Sequence, residues 1–578
     1  MNHRLLLPLL AAAALALAIA APPAPAASHS TDDGRPGPGR AWQPGEVIVR
    51  FAPGLSDARR LRILQGVGAT RRSPLSFPGT ELVVAPRGAT VPATVRALER
   101  RAGVRWAEPN YAAAVPVSPG TRAAATPAPR TAAPRAGATT RAAAAASDPF
   151  FAGSAIRKFF SSDSRRGHGQ WGLRRIGVAK AWSALKAPGR WLDTTVAVLD
   201  SGIDFAQPDF DPARFIKLPA GTTYPGTALP IVQDALDQSP KAPHGHGTGT
   251  AGVIGATADN GIGIAGVNPR SRILALATGN AATTAVAIRY AVDQGVTIIN
   301  WSSAYDTPEG YGGTIPTTDG TVKVFAEALR YARDNGVLVV AAAGNESADV
   351  QGPLHGVYDD PSYTSPHYSL PCRDRALFAN LLCVAATDGS EKLAWFSNWG
   401  DPEVQVAAPG AEIIVPTVAD PKFVNAFPGM QPGLQTAREL ADPAFGTLAT
   451  LFPATATTPQ INGKFDRSGV FVRRDQLKSP FALENGTSFA APITAGAFSL
   501  LEACLGVPTL AQRQVKGAQP WYDTLLDAMR TRGVRKEFKS LFGRRTEPLK
   551  DKVDWDGRID LDLLFGFYGT KCVAKPNP

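Results

Sequence analysis

The stretch Thr195-Val196-Ala197-Val198-Leu199-Asp200-Ser201-Gly202 runs a nearly unbroken apolar segment straight into a carboxylate and a glycine turn. A strand with apolar side chains on both faces belongs inside a parallel sheet covered by helices, not in a half-exposed antiparallel one. The same pattern returns at Arg272-Ile273-Leu274-Ala275-Leu276, Val296-Thr297-Ile298-Ile299 and Val337-Leu338-Val339-Val340-Ala341, with helix-like segments between. That alternation predicts an α/β fold with a doubly wound, mostly parallel sheet from residue 148 onward. In such sheets chemistry collects beyond the carboxyl ends of the strands. Asp200 stands at that place.

Working outward toward the N-terminus, residues 116–147 are Ala, Pro, Thr and Arg with no apolar periodicity, a composition that cannot bury enough surface to fold. Before this linker, residues 43–115 alternate strand-like and helix-like segments and predict a small α+β domain. Its strands are read at 46–51, 81–85 and 104–107, and its helices after Ser56 and at 91–101. Residues 1–26 read as a secretory signal: Arg4 is the positive end, Leu5 to Ala21 is apolar apart from Pro8, and Ala24-Pro25-Ala26 offers a small-residue cleavage site. No later segment is read as long and apolar enough to cross a membrane.

The 578-residue chain carries a net charge of +11, which by itself would suggest a nucleic acid or an anionic surface. Its distribution excludes that reading. Residues 1–147 hold 18 Arg, no Lys and 7 acidic residues, which accounts for the whole excess. The rest is balanced. Four cysteines, Cys372, Cys383, Cys504 and Cys572, follow a signal sequence and fit two disulfides in an oxidising compartment. Three pairings are open, and the local one joins Cys372 to Cys383 and Cys504 to Cys572. No Cys/His cluster has zinc spacing.

Three segments carry chemistry. Asp200-Ser201-Gly202-Ile203 ends a strand, His246-Gly247-Thr248 opens a helix of small residues, and Asn485-Gly486-Thr487-Ser488-Phe489-Ala490-Ala491-Pro492 opens an apolar helix. Each has a plainer reading alone: Asp200 as a turn cap, Ser488 as a helix cap, His246 as a structural imidazole with His244 close by. Together they supply nucleophilic acyl transfer. A neutral serine is a weak nucleophile, so His246 takes its proton while Asp200 fixes the imidazole tautomer. Asn345, in Ala341-Ala342-Ala343-Gly344-Asn345, is the side-chain donor for a developing oxyanion, with the Ser488 N–H as the second.

These strings and their order resemble the subtilisin-like serine protease family, peptidase family S8. Further matches are Gln170-Trp171-Gly172-Leu173, Gly266-Val267-Asn268-Pro269, Ala407-Ala408-Pro409-Gly410 and Asp556-Gly557-Arg558-Ile559-Asp560. The resemblance implies a subtilisin-like catalytic domain over 148–578 and a secreted endopeptidase that acts on proteins or peptides. It also implies that Ser302, Ser303 and Ala304 line the substrate cleft, with Ala342, Ala343 and Gly344 as the opposite wall of the primary pocket. The 43–115 unit resembles the family's inhibitory propeptide, of the inhibitor I9 type, ending in Glu108-Pro109-Asn110-Tyr111. The chain is then a self-processing zymogen, extracellular or periplasmic, acting as a monomer without cofactor. Structural calcium is frequent in the family, and no acidic cluster in the sequence identifies a site.

Departures from the family pattern are Gly249 where a second histidine is common, Ser303-Ala304 for Leu-Gly, and Phe489 for Met. The largest is an insertion over about 417–480, which reads equally as a flap near the cleft or as surface decoration. Three rival readings are a dead homologue acting as a scaffold, a peptide ligase and a sedolisin-type acid peptidase. The intact Asp, His, Ser and Asn oppose the first, His246 in place of a Glu excludes the last, and product analysis separates the ligase.

Overall fold

The computed structural model describes residues 42–114, 148, 151, 170–233, 245–306 except 262, 322–350 except 346, 367–368, 372, 375–416, 463–465, 471–473, and 481–572 except 516 and 540–544. The expected signal, the linker, His244 and most of the 417–480 insertion lie outside them.

The N-terminal unit runs β1 (Trp42–Phe51), α1 (Asp57–Gln65), β2 (Thr70–Pro74), β3 (Thr80–Val84), α2 (Val91–Glu99), β4 (Val104–Tyr111) and β5 (Ala113–Ala114). The first four strands form one sheet in the order β2-β3-β1-β4. Strand β2 is absent from the sequence reading because Thr-Arg-Arg-Ser-Pro has no apolar alternation. It is held by its pairing with β3 and by Arg71, whose guanidinium bonds Glu81 on β3 at 2.7 Å and Asp57 on α1 at 2.6 Å. The Glu108 to Tyr111 segment is the second half of β4, paired with β1 through Ile48↔Glu108 and Val47↔Pro109.

In a strand, neighbouring side chains point to opposite faces. Val47, Val49, Phe51, Val83 and Ala107 pack with α1 and α2 into a core of the unit's own, whereas Ile48, Leu82 and Tyr111 join the core of the second unit. The sheet is therefore covered on both sides, by its own helices and by the rest of the chain.

The second unit continues α3 (Trp171–Arg175), α4 (Val178–Leu185), β6 (Thr195–Asp200), α5 (His246–Gly255), β7 (Arg272–Ala277), α6 (Ala281–Asp293), β8 (Ile298–Trp301), β9 (Ala304–Asp306) and α7 (Lys323–Asp334). After these come β10 (Leu338–Ala342), β11 (His367–Tyr368), β12 (Leu381–Thr387), β13 (Val406–Pro409), β14 (Ile413–Pro416), β15 (Gly463–Phe465), β16 (Phe471–Arg473) and β17 (Phe481–Glu484). The chain closes with α8 (Thr487–Leu505), α9 (Leu510–Arg513), α10 (Trp521–Arg532), β18 (Val534–Arg535), β19 (Phe538–Lys539), β20 (Arg545–Thr546), β21 (Arg558–Ile559) and α11 (Leu561–Tyr568).

The main sheet has eight strands in the order β18-β21-β13-β12-β10-β8-β6-β7, parallel throughout except at the β18 edge. Val196 and Val198 feed the core shared with α8, while Ala197 and Leu199 feed the core shared with α6 and α7. That alternation is the predicted double covering. Strand β8 starts at Ile298, two residues later than the apolar run, because Val296 and Thr297 complete the turn out of α6 and Thr297 bonds the buried Glu502. The order reverses at β6, with β7 on one side and β8 on the other. Ligand crevices open at such a switch point.

Helix α8 corrects one expectation: it is long and apolar enough to cross a membrane, yet it is 94% buried inside the protein. It is the central core helix. The four cysteines form Cys372–Cys383 and Cys504–Cys572, the local pairing.

Candidate active site

The site is built from the ends of β6, β8 and β10 and the first turns of α5 and α8. Asp200 is the last residue of β6 and only 1% exposed. Its Oδ1 accepts from the Ser201 N–H at 2.7 Å and its Oδ2 from Thr250 Oγ1 at 3.3 Å. His246 Nδ1 sits 2.8 Å from Oδ1 and 3.0 Å from Oδ2, which sets Nδ1 as the protonated nitrogen and Nε2 as the acceptor.

The D-S-G-I and H-G-T strings clamp each other. Ser201 Oγ accepts from the Gly247 N–H at 3.1 Å, satisfying a donor in the first turn of α5, and Thr248 Oγ1 accepts from the Asp204 N–H at 2.9 Å. A Cβ at Gly247 would lie 2.1 Å from the Gly202 carbonyl oxygen. Only glycine lets the helix approach the β6 turn this closely. Burial pulls the His246 pKa down, but the Asp200 charge and hydrogen bond, with the Glu484 charge, outweigh it and leave the imidazole above its ordinary value.

Ser488 occupies the first turn of α8 and is 2% exposed. The proline six residues into this helix has a purpose that the sequence alone does not reveal. Pro492 has no N–H to give to the Ser488 carbonyl four residues back. That carbonyl instead accepts from Ser302 Oγ at 3.1 Å, while Ser488 Oγ donates to the Ser302 carbonyl at 3.3 Å. Asn300 Nδ2 steadies the Ser302 hydroxyl at 3.0 Å. Ser302, expected to line the cleft, is thus fully buried and braces the Ser488 turn from the end of β8.

Thr487 is the residue that sequence reasoning passed over. Its Oγ1 accepts from the Gly344 N–H at 3.0 Å and donates to Asn345 Oδ1 at 3.0 Å, and its own N–H donates to the same Oδ1 at 2.8 Å. These bonds fix the Asn345 amide with Oδ1 toward α8. A Cβ added at Gly486 would lie 3.5 Å from Asn345 Nδ2, which puts that donor beside the turn into the helix. The string G-T-S held the clue, in a hydroxyl next to the serine. Ala342 ends β10, and Ala343 and Gly344 follow it, tied to Asn398 through its Nδ2 to the Ala343 carbonyl and its N–H to the Gly344 carbonyl, both at 3.0 Å.

The two departures beside the imidazole compensate each other. A Cβ at Gly249 would meet Phe489 Cε1 and Val415 Cγ2, each at 3.3 Å. The Phe489 ring fills that space and lies 5.4 Å from the His246 ring.

Strand β9 carries an unexpected partner. It pairs on one edge with β11 and on the other, antiparallel, with β5 of the N-terminal unit, through Ala113↔Tyr305 and Ala114↔Ala304. Ala112 also bridges Asn280, so the segment after β4 is gripped from both sides. Ser303 and Ala304 lead from the Ser488 brace into this pairing.

The insertion is spliced into a hairpin whose strands close at Pro416↔Phe481 and Ile413↔Glu484. Its root touches the His246 helix, since a Cβ at Gly252 would lie 2.1 Å from Pro416 Cγ. Among the described residues no group of three or more His, Cys, Asp or Glu is set to hold a metal ion. The Asp148 and Asp209 carboxylates accept from the Asp259, Asn260 and Ile264 N–H groups at 2.9 to 3.1 Å.

Residues 193–521 match the Subtilase family model, and residues 34–110 match that of the Fervidolysin N-terminal prodomain. The prodomain assignment is thus to the fervidolysin type, and the I9 type is not specifically shown. The Thermophilic serine proteinase of Bacillus sp. (strain AK1) is 28% identical over 380 residues, 65% of this chain and 71% of that protein. Thermitase of Thermoactinomyces vulgaris is 32% identical over 250 residues, 42% of this chain and 71% of that one. The crystal structure of fervidolysin from Fervidobacterium pennivorans, a keratinolytic enzyme related to subtilisin, aligns with a TM-score of 0.50 at 19% identity, covering 93% of this chain and 62% of that one. With the family model covering more than half of its length, the chain belongs to the subtilase family of serine peptidases and carries a fervidolysin-like prodomain ahead of its peptidase unit.

Proposed function

We propose that the chain is a secreted serine endopeptidase made as a self-processing zymogen, with Asp200, His246 and Ser488 as its triad and Asn345 as the oxyanion donor. The observation that carries this reading is the β5–β9 pairing, in which the end of the prodomain adds a strand to the peptidase a few residues from Ser302, the residue bonded to Ser488. A substrate held by strand addition uses the same main-chain bonds.

In the reaction, Ser488 Oγ leaves the Ser302 carbonyl, gives its proton to His246 Nε2 and bonds the scissile carbonyl carbon. Asp200 steadies the imidazolium through Nδ1. The oxyanion takes hydrogen bonds from Asn345 Nδ2 and the Ser488 N–H, and on collapse His246 returns the proton to the departing amine. Water then repeats the sequence on the acyl-enzyme, releasing acid and Ser488. Ser302, Ser303 and Ala304 form one wall of the cleft mainly through backbone, and Ala342, Ala343 and Gly344 the other. Their small side chains leave room for a large substrate group.

Secretion rests on the charged and apolar start of the chain and on two disulfides, which persist outside the reducing cytoplasm. Ala304, the partner of Ala114, stands two residues from Ser302. The first cut is therefore expected within the few residues that follow Ala114, not deep in the linker. N-terminal sequencing of the secreted protein tests it: a new terminus there, absent from Ser488→Ala, supports self-processing. An identical terminus in that variant assigns the cut to another protease.

A further inference from the structure

The prodomain touches the peptidase unit at a place that neither the cleft nor the substrate needs. Between β2 and β3 the chain turns at Leu75-Ser76-Phe77-Pro78. Leu75 is 4% and Phe77 5% exposed, yet neither belongs to the prodomain's own core. Both belong instead to the core cluster of the peptidase unit that holds Tyr224, Leu229 and Tyr290. Phe77 also lies under the Arg289 guanidinium, 5.8 Å from ring centroid to Cζ. Two hydrogen bonds fix the direction of approach: the Ala228 N–H donates to Ser73 Oγ at 2.8 Å, and Ser76 Oγ donates to the Pro225 carbonyl at 3.1 Å.

The receiving segment, residues 216–233, is a hairpin with closing hydrogen bonds of its own. It closes on itself through the Tyr224 N–H to the Leu229 carbonyl at 2.9 Å and the Ile231 N–H to the Thr222 carbonyl at 2.8 Å. Its ends are tied to the main sheet. Gln233 Nε2 bonds the carbonyls of Ile216 and Ala275, both at 2.9 Å, and the Ala277 N–H bonds the Val232 carbonyl at 2.7 Å. A docking surface formed in advance loses little conformational entropy when it is filled.

We propose that the 216–233 hairpin is a receptor for the β2–β3 turn of the prodomain. It is an apolar anchor outside the cleft that keeps the prodomain bound after the linker is cut and sets the rate at which active peptidase appears. This rests on reading the first unit as an inhibitor, but not on self-cleavage. Cutting the linker removes none of the contacts at Phe77. Fully burying a side chain of this size is worth enough to change an equilibrium at least tenfold.

The test uses the full secreted chain with Ser488→Ala, so that it cannot cut itself, nicked by brief trypsin treatment in the linker, which offers Arg122, Arg130, Arg135 and Arg141. Gel filtration and dilution then report whether the prodomain fragment stays. With native Phe77 the fragment is expected to co-elute. With Phe77→Ala it should leave at least tenfold faster, Phe77→Leu should restore most of the retention, and Tyr224→Ala should repeat the loss. The double variant should add little to either single one. Because Phe77 is outside the prodomain core, the prodomain of the unnicked variant should still be folded, as circular dichroism would show.

A native fragment that elutes apart, or a Phe77→Ala fragment that leaves at the native rate, overturns the proposal. So does a Phe77→Ala chain whose loss of retention comes with an unfolded prodomain, provided Phe77→Leu and Tyr224→Ala retain the fragment fully. If the active chain fails to cut itself while the nicked Ser488→Ala chain holds its fragment, self-processing falls and the receptor stands.

Discussion

The two halves of the proposed catalytic site are assembled differently. The base half, Asp200 and His246, is joined by contacts of 2.8 and 3.0 Å and is made by two strings that brace one another, D-S-G-I and H-G-T. The nucleophile half is made by three separate elements: Ser302 from β8, Gly344 and Asn345 from beyond β10, and Thr487 and Ser488 from α8. Among the described residues His246 Nε2 has no hydrogen-bond partner, and the Ser488 hydroxyl is turned to Ser302. With the prodomain end lying along β9, the base is already set and the nucleophile is parked. The difference teaches that the imidazole is positioned by its own neighbours, whereas the serine is positioned by the whole sheet.

Removing either half entirely is the harshest probe of this contrast. His246→Ala in the mature enzyme is expected to lower kcat on the order of a million-fold, as loss of the serine or the histidine does in subtilisin, whereas a loss below a hundredfold in a peptide assay would remove His246 from the reaction. Asn345→Ala should cost roughly a hundred- to a thousandfold in kcat with little change in KM. An effect confined to KM would make Asn345 a ground-state binder.

Thr487→Val tests the bracing. It keeps the shape and removes the hydroxyl that accepts from Gly344 and donates to Asn345, so kcat should fall about tenfold, as expected for disturbing one or two hydrogen bonds. If stability drops and kcat per folded molecule stays, Thr487 supports the fold and not the oxyanion donor. The smallest effect concerns pH. A general base works only when neutral, so activity is lost as pH falls through the His246 pKa, and the Asp200 charge, by raising that pKa, moves the limb above the ordinary imidazole range. Glu484→Gln removes one of the charges that raise it. The acid limb of kcat/KM should then move slightly to lower pH, and a limb that stays or rises would show that Glu484 does not reach the imidazole.

Much of this was legible in the chain itself. Apolar strands gave the double covering, the glycine after His246 is demanded by a 2.1 Å approach, and the spacing of cysteines favoured the pairs that form. Strand β2 was not legible, because Arg71 is held there by Glu81 and Asp57 and not by any apolar period. Nor was the brace at Ser302, where a missing proline N–H is answered by a hydroxyl 186 residues away in sequence.

By itself the sequence determined the apolar strands of the main sheet, the residue types of the proposed triad, and the order in which they occur. Those are local matters of side-chain periodicity, turn chemistry and reactive groups. Only the tertiary structure decided that Thr487 fixes Asn345, that β5 joins β9, and that Phe77 docks on a hairpin around Tyr224. The periodicity of a strand says which face is apolar but not what will cover it, because a partner hundreds of residues distant is selected by shape and hydrogen-bond direction once the sheet has formed.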